Sequence, residues 1–137
     1  MLLVVISILA WISFVDLRTH RIPNRDVSIL AIASIVAIKL EIYSLRDHLR
    51  ISAIVLMILI ALSFFCGLGM GDVKLVGVLT MFVLAPEAAT YMTFLAVVAI
   101  TASMHAIILS RGKLRKSLQI PLAPAIFCGT MMALFAK

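Results

Sequence analysis

The chain has 137 residues, 64% hydrophobic and 13% charged, with 12 basic against 6 acidic side chains and a net charge of +6. Soluble domains are about 45–50% apolar and about 25% charged, so this composition excludes a soluble enzyme and leaves almost nothing for a water-facing domain. A perpendicular helical crossing needs about 20 residues, so the length admits at most about six crossings joined by very short loops.

Six windows are free of charge: 1–15, 27–38, 51–71, 75–86, 88–110 and 117–136. A backbone in hydrocarbon must satisfy its own hydrogen bonds, and these windows lack the polar alternation of barrel strands. The fold class is therefore all-α, a polytopic integral membrane protein with about six transmembrane helices and short loops. Residues 1–137 form one domain, since no repeat, low-complexity tract or linker divides them. The first window has no basic segment ahead of it and runs into Asp16 and a basic loop, without a small-residue cleavage site. It reads as a retained span and not as a secretory signal. Lys39 can snorkel and extend the second window through Leu40, Ile42 and Tyr43. The first and fourth windows reach full length only by taking Asp16 and Asp72 toward the membrane. Pro121 and Pro124 are expected to kink or widen the last span. Cys66 and Cys128 form no CxxC pair and no cluster with His20, His48 or His105 at metal-ligand spacing, so they read as packing residues. No metal and no cofactor is implied. His105, inside the fifth window, is expected to hydrogen-bond across helices.

With six crossings, the loops on one side hold eight basic residues: Arg18, Arg21, Arg25, Lys74, Arg111, Lys113, Arg115 and Lys116. The other side holds Lys39, Arg46, Arg50 and Lys137. The positive-inside rule places the eight in the cytoplasm and both termini outside. The positive charge is thus first a topology signal at the lipid bilayer, and no interleaving of aromatic and basic residues points to nucleic acid. Two spans separate Asp16 from Asp72, so parity puts both acids on the cytoplasmic face.

Asp26, Glu41, Asp47 and Glu87 fall in loops or at span ends beside water. Asp26 suits the start of a helix capped by Asn24. Asp16 and Asp72 differ, because an ionisable residue at a membrane edge is costly to desolvate and is by default a functional group. Asp72 follows Gly67, Gly69 and Gly71, which weaken the helix and strip bulk from the backbone just before the acid, opening it to water or an extended substrate. Gly67 and Gly71 also make a GxxxG spacing suited to close helix packing. Lys74, two positions beyond Asp72, diverges from it on a regular helix and reads as snorkelling. Pro23 disfavours helix at Ile22, so the stretch after Asp16 is a turn of loop. Two acids held together cannot both ionise easily; one takes a proton from water while the protonated one donates to a peptide carbonyl oxygen.

These residues resemble the type IV prepilin peptidases, which stand with preflagellin peptidases and presenilin-like enzymes among the GxGD intramembrane aspartyl proteases. The likeness rests on Asp16 followed by Ile22-Pro23-Asn24, on Gly69-Met70-Gly71-Asp72 followed by Val73-Lys74-Leu75, and more softly on Pro121-Leu122-Ala123-Pro124. The resemblance implies that Asp16 and Asp72 are the catalytic aspartates. Gly69, Gly71, Lys74, Pro23 and Asn24 are then candidates for shaping the site or binding substrate. It further implies an inner-membrane hydrolase that removes a short basic leader from prepilin or pseudopilin precursors at the cytoplasmic boundary, in type IV pilus assembly or protein secretion. Larger members carry a cysteine-rich, zinc-binding domain between the first two spans. Here that loop is only about a dozen residues, as in the compact, tight-adherence pilus type. Two other readings share the same acids: a GxGD protease acting on signal peptides or other membrane proteins, and a small proton-coupled carrier with broken helices.

Overall fold

Chain breakers set the helix boundaries. The computed structural model describes residues 2–37, 45–66, 69–110 and 121–135, and every regular element among them is a helix. In chain order these are α1 (Leu2–Thr19), α2 (Asn24–Ala37), α3 (Leu45–Cys66), α4 (Met70–Phe82), α5 (Ala88–Ser110) and α6 (Ala123–Phe135). The readings of Lys39, Gly67 and the basic loop 111–116 concern residues outside those described.

His20 ends α1: its φ of 50° is left-handed, and its N–H donates to the Asp16 carbonyl at 2.8 Å, closing the last turn. Pro23 then starts α2, its carbonyl accepting from the N–H groups of Asp26 (3.1 Å) and Val27 (3.3 Å). The third window is charge-free through Gly71, and its glycines are read as weakening the helix; α3 ends at Cys66 and α4 begins at Met70. Gly69 stands extended ahead of α4 at φ −62°, ψ 133°, and its carbonyl accepts from the Val73 N–H at 3.2 Å. A glycine costs a helix more backbone entropy than other residues, which suits it to this break. The expectation that Pro121 and Pro124 bend the last span is corrected. Pro124 is the second residue of α6, where its missing N–H would have had no helical partner, so the prolines open the helix and do not kink it.

Three helices are long and apolar enough to cross a membrane: Leu2–Thr19, His48–Phe65 and Ala88–Leu109. The other three have 14, 13 and 13 residues, about 20 Å of helix each. Helix α1 packs on α2 and α6, α4 on α2, α3 and α6, and α5 on α6. Leu9, Ile12, Leu30, Leu75, Leu79 and Ile126 fill the core between these helices. The outside is apolar as well: Trp11, Ile32, Met57, Phe64 and Ile108 are all exposed. An apolar shell around an apolar core is stable only where the solvent is itself apolar, which makes this a membrane protein. His105 corrects another expectation, since its Nδ1 pairs with the Thr101 carbonyl of its own helix at 2.9 Å and not with a neighbouring helix.

Gly129 lets α6 approach α5 closely. A Cβ there would lie 2.5 Å from Val98 Cγ2 and 2.9 Å from the Phe94 carbonyl oxygen. The backbone oxygen cannot step aside, so Gly129→Ala is expected to lower stability by about 1–3 kcal/mol. Denaturant unfolding of the detergent-solubilised protein, followed by circular dichroism, measures the loss.

Candidate active site

The C-terminal end of α1 and the N-terminal ends of α2, α4 and α6 converge at one end of the bundle. Asp16, on the last turn of α1, is only 4% exposed. Its Oδ2 accepts a hydrogen bond from the Ala123 N–H at 3.0 Å. A carboxylate buried among apolar side chains is stable only with such donors, and a helix start supplies N–H groups that no helical carbonyl can take. The imidazole of His20 also interacts electrostatically with Asp16.

Asp72 lies half-buried in the first turn of α4 and interacts electrostatically with Asp16. The two acids come from helices that do not pack on each other directly among the described residues. They are brought together because α2 and α6 each pack on both α1 and α4. Helical periodicity explains which way Asp72 faces. Leu75, Val76 and Leu79, three, four and seven positions on, are buried in the core, so Asp72 shares the inward face of α4.

Lys74 lies about 200° around the helix from Asp72 and faces the other way. Its Nζ donates to Asn24 Oδ1 at 2.9 Å, tying the start of α2 to the start of α4. This replaces two expectations: Asn24 does not serve as a free cap for α2, and Lys74 does not simply snorkel. Beside this tie an open cleft of about 390 Å³ runs between α2, α3 and α4, lined by Val27, Ala31, Leu56, Val78 and Met81 among others. Pro23 and Ile22 form the turn that leads into Asn24, and Gly71 lets α4 pass close to it: a Cβ at Gly71 would stand 3.0 Å from Ile22 Cβ. Gly69 is small for a different reason. A Cβ there would meet Asp72 Oδ2 at 2.8 Å, because the carboxylate folds back over the glycine.

All seven site residues read from the sequence therefore stand at this end of the bundle, Asp16 and Asp72 facing inward and Lys74 and Asn24 on the cleft side. Sequence reasoning missed Ser13 and Ala123, which hold Asp16 or its partner. It reads the flanking Pro121 and Pro124 as kinking or widening the last span and not as the frame of an amide donor. Chemically, two electrostatically interacting carboxyl groups at the edge of an apolar bundle can pass protons to and from a water or a peptide group placed between them.

The model of the type IV leader peptidase family matches residues 3–108, well over half of the chain. No curated protein and no solved structure matched it. The family match takes in Asp16 and Asp72 and stops short of Ala123.

Gly69 separates the placement of Asp72 from the stability of the fold. Its extended backbone suits alanine, and the one atom pair in conflict ends on a side-chain oxygen that can swing away. Gly69→Ala is expected to unfold within about 0.5 kcal/mol of the wild type while cleavage slows about tenfold, because the carboxylate is displaced. Unfolding and turnover measured on the same preparation check both halves.

Proposed function

Since the chain belongs to the type IV leader peptidase family, we propose that it is an aspartic endopeptidase that cuts the leader from prepilin-like precursors, with Asp16 and Asp72 as the catalytic pair. The observation that carries this reading is the placement of these two acids, from distant parts of the chain, at one end of an apolar bundle, close enough to interact electrostatically. In the proposed reaction a water held between them attacks the scissile carbonyl carbon. One carboxylate accepts the water proton while the other, protonated, donates to the carbonyl oxygen, and the tetrahedral intermediate collapses as the leaving amine takes up a proton. The chemistry asks nothing of a metal or a cofactor.

The basic residues near this end support a cytoplasmic orientation for the site. Arg18 stacks on the Phe14 ring at 4.4 Å in the last turn of α1, Arg21 and Arg25 follow in and after the turn, and Lys74 opens α4. By the positive-inside rule this is the cytoplasmic face of the inner membrane, with the termini outside if all six helices cross. A pilin-like precursor fits such a site. Its apolar helix can remain in the bilayer while a basic leader emerges at the cytoplasmic edge, bringing the junction between them to the depth of Asp16 and Asp72.

Asp16→Asn and Asp72→Asn test the pair. Each variant is expected to lose cleavage by about a hundredfold or more while still extracting and unfolding as the wild type does. The readout is the mass of a co-expressed prepilin from the same genome, with and without its leader. Wild-type processing by either variant overturns the paired-aspartate mechanism. Cleavage of a generic signal peptide with prepilin left intact overturns the substrate.

A further inference from the structure

Ala123 is held from two sides by one face of α1. Ser13 and Asp16 are three residues apart and therefore neighbours on the helix surface, and both are buried, at 6% and 4% exposure. Asp16 Oδ2 accepts from the Ala123 N–H at 3.0 Å, and Ser13 Oγ reaches the carbonyl oxygen of the same residue at 3.2 Å. The Ser13 hydroxyl has one proton, which it shares with the Leu9 carbonyl of its own helix at 2.9 Å. Prolines at 121 and 124 have no N–H, so Leu122 and Ala123 carry the only amide hydrogens in this four-residue segment, and that of Ala123 serves Asp16. The start of α6 is thus bonded to α1 at Ala123, and Ser13 is the second α1 side chain that reaches it.

We propose that Ser13 is a positioning residue for the reaction: its hydroxyl draws the Ala123 carbonyl onto α1, and this sets the Ala123 N–H against Asp16 and fixes the direction in which that carboxylate points. The inference rests on the reading of Asp16 as catalytic. Ser13 touches neither substrate nor water in this scheme and acts only through Ala123. A carboxylate that turns away from its working direction loses an interaction made in the transition state, so it slows the chemical step more than it weakens substrate binding.

Threonine and valine at position 13 have nearly the same shape and differ by the hydroxyl, which isolates the hydrogen bond from packing. Ser13→Val is expected to lower kcat about tenfold with KM within about twofold of the wild type, and Ser13→Thr to keep kcat within about twofold. If these larger side chains are not accommodated, Ser13→Ala makes the hydroxyl comparison against the wild-type serine, with the same expected fall in kcat at unchanged KM. Ser7 provides the control on the same helix, since its hydroxyl makes the same bond one turn back, to Leu3 at 2.8 Å, but is exposed; Ser7→Ala should leave both constants unchanged. Equal kcat in the hydroxyl-bearing and hydroxyl-free variants overturns the proposal, as does a fall confined to KM. Asp16→Asn assayed alongside separates the two layers. An inactive Asp16→Asn with a fully active Ser13→Val removes only the role of Ser13, whereas an active Asp16→Asn removes the catalytic reading and the positioning role with it.

Discussion

A carboxylate buried in an apolar bundle needs hydrogen-bond donors, and the only abundant donors in such a chain are backbone amides at the starts of helices. The bond from the Ala123 N–H to Asp16 meets that need, and much of the architecture at this end follows from it. Helix α6 must begin beside the last turn of α1, so that a free amide is delivered at that depth. The prolines at 121 and 124 suit this, because they cannot compete as donors and they prepare the backbone for a helix start. The apolar packing of α1 on α2 and α6 holds the two ends of this bond together.

The convergence of helix starts extends the same logic to the second acid. Helices α2, α4 and α6 all begin at this end. Asp72 stands in the first turn of α4, where the partial positive charge of a helix start favours an acid, and Asp16 takes its donor from the first residue of α6. Lys74, two residues beyond Asp72, is directed away and tied to Asn24.

The helical class and the place of Asp16 and Asp72 at helix ends were legible because they depend on local quantities: charge-free windows and chain breakers. The partners of those acids were not legible. Asn24 before an apolar run reads as a cap, and only the approach of α4 reveals that its oxygen belongs to Lys74. Proline within an apolar window reads as a kink, because periodicity does not tell whether the helix has already begun; α6 starts at Ala123, several residues into its window. Ser13 is the least visible of all. A serine in an apolar helix can always bond one turn back, so nothing in its neighbours distinguishes it from Ser7, and its contact with Ala123 spans 110 residues of chain.

That long contact bears on what the family match contains. Residues 3–108 include both acids, yet Asp16 draws its backbone donor from Ala123, beyond the matched segment. Helix α6 also carries the packing of α5, with Gly129 set against Phe94 and Val98. Removing it would leave a buried carboxylate without amides and a long apolar helix without its main neighbour, and an unsatisfied buried charge costs more than any surface contact returns. The matched segment holds both acids, but it does not hold what fixes one of them in place. In a chain with so few polar side chains, that work falls to the backbone at the start of the last helix, and the residues that bring it there are hydrophobic, small or proline.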